Sequence, residues 1–379
     1  MSEKNNLNLG AVVIPDRTII VDAGKNAVKV VSLGETLDVQ GMVKFPSKVE
    51  TVKTFQGIRD LDGAVDFMQD DLQHQVVFNN KKYLVGAGMD SSKYSLKFSK
   101  TDFHHQLCIY TAIAGIVTKV DEKIELSIGC ATSDYVNEQS IEAYRQLIQS
   151  SGIIKINVNG IDKSFEIVKL NIYPEGKALS VRALHQGRET HVVDIGGQNV
   201  NYRKYDRKGH MLKQVSFDAL GINHLEYAVL DDLRKDVPAE SLSVESLDIY
   251  ELINTGRMEE LEHAGIDAGR FIVESVQSFL GQVFSKLSSH GLRPEVGGGY
   301  VVIFTGGGSL MLERYIRNMY PDNNHFVFSE TAQWDNCMSY IVSTIAKKYN
   351  ELGKSPQELI GKSEGVMKAL AYELKKNNF

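Results

Sequence analysis

Short apolar runs alternate along the chain with longer segments whose apolar positions recur at helical spacing. Residues 18–21 form an apolar run, Asp22 and Gly24 interrupt it, and residues 28–33 form a second run. That pattern predicts strand, tight turn, strand. Residues 62–73 carry a short helical pattern, and 76–78 and 83–85 flank Asn79-Asn80, which predicts a hairpin. Helical spacing returns over 103–120, opening on His104-His105, read as a solvated helix start. Residues 124–130 read as a buried strand. Residues 135–149 read as an amphipathic helix presenting Tyr135, Ile141, Tyr144, Leu147 and Ile148. Asn159-Gly160 separates 154–158 from 165–172, a second hairpin cue, and Pro174 ends the strand because it cannot donate to a ladder.

The pattern then starts again. Apolar positions at 191–193 lead into Asp194, Gly196 and Gly197, and an alternating segment covers 199–205. This strand, Asp-x-Gly, strand unit repeats the one at Asp22 after about half the chain, a weak internal repeat. Helices are predicted over 222–233, 247–253 and 266–289, and a buried strand over 300–304 runs into Gly306-Gly307-Gly308. Ser309 reads as the cap of a helix over 311–319, followed by a short strand at 326–328 and two helices near 332–350 and 356–376. The alternation predicts an α/β layered fold. Its expected boundaries are a first domain over 1–180 with a small insertion at about 42–98, and a second over 181–345 with a helical insertion at about 220–265. A C-terminal helical segment, 346–379, is expected to pack back on the first domain.

Composition narrows the class. A chain of 379 residues with 42% hydrophobic and 24% charged positions can bury a large core. The net charge of −6, with Lys and Arg spread rather than clustered, argues against direct nucleic-acid binding. Cys108, Cys130 and Cys337 have neither the number nor the spacing of a disulfide framework or a zinc site, which suits a reducing interior. No apolar run reaches the ~20 residues of a membrane span, and residues 1–10 lack a signal-peptide core. A soluble, cytoplasmic protein is expected.

Three constellations can carry chemistry. Asp22-Ala23-Gly24-Lys25-Asn26 ends a strand in a carboxylate and turns on glycine, exposing amides that suit a phosphate; the carboxylate suits Mg²⁺ through its water shell. The alternative is an ordinary hairpin turn. Asp194-Ile195-Gly196-Gly197-Gln198-Asn199 repeats the arrangement. Gly306-Gly307-Gly308, between strand and helix, suits a backbone lying flat beneath a nucleoside or phosphate, or else a flexible loop. Walker, dinucleotide-binding and nucleophile-elbow patterns are absent, as is His-Glu-x-x-His.

In this order, with Ile172-Tyr173-Pro174-Glu175-Gly176 between the first two, these motifs resemble the actin, sugar kinase and heat-shock-70 ATPase superfamily over residues 18–350. Within it the chain resembles ParM and related plasmid-segregation actins. The resemblance implies an actin-like fold of two α/β domains, each with a smaller subdomain, and a nucleotide in the interdomain cleft. It implies ATP or GTP with Mg²⁺, the metal held through water by Asp22 and Asp194. Gly24, Lys25, Asn26, Gly196, Gly197, Gln198, Asn199 and Gly306 to Gly308 would contact nucleotide, and Glu175 would orient the attacking water, with Asp194 its catalytic partner. Without the resemblance, Glu175 reads as a helix-capping carboxylate. The resemblance further implies a homopolymeric filament in the bacterial cytoplasm, joined to a plasmid centromere-like site by a DNA-binding adaptor protein. Alternatives are a small-molecule kinase of the same superfamily and a scaffold that binds nucleotide without hydrolysis. The chain departs from the family pattern in having Lys25-Asn26 and Gln198-Asn199 where hydroxyl residues usually stand.

Overall fold

The computed structural model describes residues 14–55, 73–87, 100–149, 152–236, 248–256, 259–263, 265–294 and 299–376. Residues 62–72 of the helix expected over 62–73 lie outside them. The chain divides into two compact units.

The first unit is built on strands β1 (Arg17–Ala23), β2 (Ala27–Leu33), β3 (Val39–Pro46), β4 (Val49–Val52), β5 (Gln73–Phe78) and β6 (Lys81–Gly86), then helix α1 (Phe103–Ile116) and strand β7 (Glu122–Cys130). After α2 (Thr132–Tyr135), which groups with the second unit, come α3 (Glu138–Ile148), β8 (Ile154–Val158) and β9 (Ile161–Pro174). The strands form one sheet in the order β3-β2-β1-β7-β9-β8-β5-β6-β4. β1 runs antiparallel to β2 and parallel to β7. β3 is hydrogen-bonded to β2 from Val39 onward, and Phe45 on it is fully buried.

Both predicted hairpins form. Asn79-Asn80 and Asn159-Gly160 carry positive φ at both central residues (50° and 59°, 52° and 80°), the backbone that matches strand twist and that Asn and Gly adopt at least cost. α1 is apolar on nearly every face and buried, as a helix inside a core must be. Its His105 is therefore not solvated: it is buried and hydrogen-bonds Tyr144 Oη at 2.9 Å. The helix expected over 135–149 is α3, which starts at Glu138; Tyr135 instead ends the short α2 before it.

At the start of β1, Arg17 pairs with buried Glu122 at 2.7 Å. Burial pushes the Glu122 carboxyl up, but Arg17 and the amides of Lys119 and Thr118 outweigh it and hold the group below the usual range.

The second unit contains α4 (Leu179–Ala183), β10 (Glu189–Ile195), β11 (Asn199–Tyr205), β12 (Met211–Asp218), α5 (Ile222–Asp236), α6 (Ile249–Thr255), α7 (Glu259–His263) and α8 (Ala268–Ser289). β13 (Tyr300–Thr305), α9 (Gly307–Met319), β14 (Phe326–Phe328), α10 (Asp335–Glu351) and α11 (Pro356–Lys376) complete it. Its sheet order is β12-β11-β10-β13-β14. β10 is antiparallel to β11 and parallel to β13, the same flanking pattern as β1 between β2 and β7. The internal repeat read from the two Asp-x-Gly units is thus a repeat of topology.

Val193, Ile195 and Phe304 from the sheet pack with Leu225 of α5, Leu280 of α8 and Leu312 of α9, all with 0% exposure. Each such side chain contributes about 1.5–3 kcal/mol on burial. Trp334 and Phe45 are core residues. All three cysteines are buried thiols, and burial pushes Cys108 up to about 12. Among the described residues no helix is long and apolar enough to cross a membrane.

Candidate nucleotide site

The first motif sits where β1 ends. Asp22 is 3% exposed and lies directly across the ladder from Lys29 of β2, whose Nζ reaches Asp22 Oδ2 at 3.3 Å. Residues opposite each other on an antiparallel pair share a face, so strand pairing alone brings the cation to the carboxylate. Sequence reading missed Lys29. The signal was available: the turn between β1 and β2 fixes which residue of β2 stands opposite Asp22.

The tip of this turn, residues 24–26, groups with the second unit. Lys25 Nζ donates to Gln198 Oε1. A Cβ added at Gly197 would stand 2.5 Å from Asn26 Oδ1, so a larger residue at 197 would displace Asn26. Lys25, Asn26, Gly197 and Gln198, which stand where the family pattern usually has hydroxyls and paired glycines, are therefore in mutual contact.

In the second motif Asp194 is the last residue but one of β10, is 5% exposed and accepts from Asn201 Nδ2 at 3.4 Å. The loop beyond it is held by its carbonyls. Gly196 O and Gly197 O accept from the amides of Ile222 and Asn223 at 3.0 and 2.8 Å, so the first turn of α5 fixes the loop. Asn199 O accepts from Gly196 N at 2.9 Å. Gly221 packs so tightly on residues 197 and 198 that a Cβ there would overlap the Gln198 backbone.

In the third motif Gly306 has φ +83°, and a Cβ there would collide with Asp194 Oδ1 and stand 2.6 Å from Ile195 O. Gly308 would meet Ile222 Cγ1 at 2.6 Å and Ile195 Cγ2 at 2.7 Å. These two glycines are required by the close approach of β13 and its following helix to the end of β10. Gly307 has more room, its nearest neighbour being Gln333 Cγ at 3.7 Å. The helix begins earlier than predicted: Gly306 is the N-cap, and Ser309 lies inside α9 with its Oγ donating to Thr305 O. With no acidic residue in its first turn, the positive end of the α9 dipole is not neutralised from within.

Asp335, buried at the start of α10, accepts from Thr305 Oγ1 at 2.5 Å and from Ser329 Oγ and Thr331 Oγ1 at 2.9 Å each. Three hydroxyl donors on one carboxylate tie the end of β13 to the segment after β14 and so set the third loop. Sequence analysis placed the segment but not this carboxylate.

Glu175 closes the set. Its amide donates to Cys130 O at 3.0 Å and its carbonyl accepts from Thr132 Oγ1 at 3.4 Å. Gly176 has φ +70° and its amide donates to Asn336 Oδ1 at 2.8 Å. A Cβ on Gly176 would lie 3.1 Å from Asp194 Oδ2, so the Glu175 turn and the Asp194 carboxylate are neighbours. The surroundings are positive. Burial first, then the charges of Arg203 and Arg182, hold the Lys177 amine below its ordinary range. Glu175, Asp194, Gly196, Gly197, Gln198, Asn199, Gly306 to Gly308 and the tip Gly24 to Asn26 all belong to the second unit, and Asp22 to the first.

Residues 21–177 match the family model described as the N-terminal domain of actin-like proteins. Among solved structures, a ParM of a 15-stranded filament from Clostridium botulinum superposes with a TM-score of 0.65 at 14% identity, over 86% of this chain and 98% of that one. The chain has an actin-like fold. Ta0583, an archaeal actin homologue, gives a TM-score of 0.63 at 14% identity over 86% of this chain and 99% of that one. The subunit of an Alp12 filament gives 0.54 at 22% identity over 88% and 100%. No curated protein sequence matches significantly. In fold this chain is thus similar to ParM and other actin homologues.

Proposed function

We propose that the protein is a filament-forming actin-like ATPase that polymerises with nucleotide and segregates plasmid DNA through a DNA-binding adaptor protein in the bacterial cytoplasm. The carrying observation is the gathering of the Glu175 turn, Asp194 and Gly306 at the ends of β9, β10 and β13. The filaments formed by similar chains support self-association.

The donor set suits the expected ligands. Asp22 and Asp194 are hard oxygen donors of the kind that would hold Mg²⁺ through water, and the start of α9, with no side-chain cap and no acidic residue in its first turn, suits a nucleotide. When bound, Mg²⁺ supplies charge neutralisation on the phosphates of ATP or GTP. Gly24, Lys25 and Asn26 with Gly196 to Asn199 would hold the phosphates, and Gly306 to Gly308 the nucleoside side. Lys29 balances the Asp22 carboxylate. Glu175, its backbone fixed on both sides, orients and polarises the attacking water as a general base.

Phosphate release and right-angle light scattering with Mg-ATP, Mg-GTP and no nucleotide test this reading. Scattering should rise with triphosphate and fall as phosphate appears. Glu175→Gln should slow release by roughly 10²- to 10⁴-fold and prolong the polymer. ADP formation that requires an added sugar or polyol, without polymer, would replace the reading with a small-molecule kinase. Polymer without phosphate release would leave a scaffold.

A further inference from the structure

Arg203 lies on β11 with 1% exposure, and sequence reading passed over it. Its Nε donates to Gln214 Oε1 at 3.1 Å and its Nη2 to Thr132 Oγ1 at 2.5 Å. Thr132 Oγ1 in turn donates to Glu175 O at 3.4 Å. Nη1 is buried without a hydrogen-bond acceptor and lies 3.5 Å from where a Cβ on Gly176 would stand. At the same strand position the first unit has Val31, nine residues after its Asp-x-Gly aspartate as Arg203 is nine after Asp194. An apolar side chain therefore satisfies the topology, and a buried guanidinium with an unmatched donor is costly to keep for packing alone.

We propose that Arg203 is a positioning residue for Glu175: through Thr132 it fixes the peptide that carries the Glu175 carboxylate. This rests on the reading of Glu175 as general base. Among the described residues, the Glu175 peptides are restrained by the Glu175 amide on Cys130 O, the Gly176 amide on Asn336 and the Glu175 carbonyl on Thr132. The last of these runs through a side chain that a buried cation holds. A guanidinium forks between Gln214 on the neighbouring strand and Thr132, so it ties the sheet to the turn in a way one ammonium cannot.

The test compares single-turnover Mg-ATP hydrolysis with the affinity for a fluorescent ATP analogue in Arg203→Gln, Arg203→Lys, Thr132→Val and Glu175→Gln proteins. Arg203→Gln and Thr132→Val should each slow hydrolysis roughly 10- to 100-fold, as small misplacements of a catalytic group do, with affinity changed less than about threefold. The double variant Arg203→Gln/Thr132→Val should be no slower than the slower single one, because both break one chain of contacts. Arg203→Lys should recover part of the rate. Adding Thr132→Val to Glu175→Gln should change nothing further.

Parallel losses of rate and affinity would reduce Arg203 to a structural residue. So would multiplicative effects in the double variant, or hydrolysis at the wild-type rate in Arg203→Gln or Thr132→Val while Glu175→Gln is slow. Wild-type hydrolysis by Glu175→Gln would instead remove the general-base reading itself, and this inference with it. If Arg203→Gln does not fold, Thr132→Val, which keeps the side-chain shape, carries the test.

Discussion

The sixth residue of β1 is Asp22, and across the ladder stands Lys29; the sixth residue of β10 is Asp194, and across the ladder stands Asn201. The topology around the two aspartates is the same, but the first carboxylate has a cation at 3.3 Å and the second an amide at 3.4 Å. The second unit places its cation, Arg203, two residues further along the same face and aims it at the Glu175 turn instead. The two halves have thus divided one task. The first balances its aspartate locally. The second sets an amide across from its aspartate and ties the cation two residues on to Thr132, beside the strand end that bears the proposed base.

The comparison can be broken most directly at the cross-strand partners. Lys29→Ala strands a buried carboxylate and should destabilise the first unit by about 3 kcal/mol. Asn201→Ala removes two long hydrogen bonds, one donated to the Asp194 carboxylate and one accepted from Asn199 Nδ2, and should destabilise the second by about 1–2 kcal/mol. Urea-melt midpoints measure both, and equal losses would mean that the Lys29 pair is not a distinguishing feature.

Acid offers a similar handle. Burial pushes the His74 imidazole of β5 down to about 4 from an ordinary 6.5. Between those values the unfolded chain takes up a proton that the folded chain refuses. Stability from this group is intact above pH 6.5 and is lost as pH falls towards 4, amounting to about 3 kcal/mol. In a His74→Phe protein, which can keep the edge-on packing against Phe45, melts between pH 7 and 4.5 should show a correspondingly shallower decline.

The smallest effect separates two adjacent glycines. Gly306→Ala forces a side chain into positive φ and against Asp194, and should destabilise the fold by about 1–3 kcal/mol. Gly307→Ala enters a helix with room for a methyl and should fall within about 0.5 kcal/mol of wild type or improve on it. Thermal melts of the two proteins decide it.

Much of the architecture was legible because apolar runs and turn residues are local signals. β1, β2, β10 and β11 follow from runs broken by Asp and Gly, and both Asn-containing hairpins formed with the backbone their turn residues favour. The start of α9 was misread because Ser309 is a good cap in isolation, whereas the chain turns three residues earlier on Gly306, where Asp194 and Ile195 leave no space for a Cβ.

Lys29 and Arg203 were missed for a related reason. Polar residues alternating along a strand read as a solvated face, and only the partners across the ladder and beyond, Asp22 in one case and Gln214 and Thr132 in the other, make that face interior. Buried Asp335 has the same character, since its three hydroxyl donors come from residues 305, 329 and 331.

The three cysteines are all buried, and the Cys108 thiol is pushed up to about 12. At neutral pH a thiol-specific dye therefore finds little thiolate to attack at Cys108 and little access at any of the three. One new cysteine on an exposed helix position, without removal of the native ones, would give a singly labelled subunit. The proposed polymerisation could then be tested directly by fluorescence microscopy.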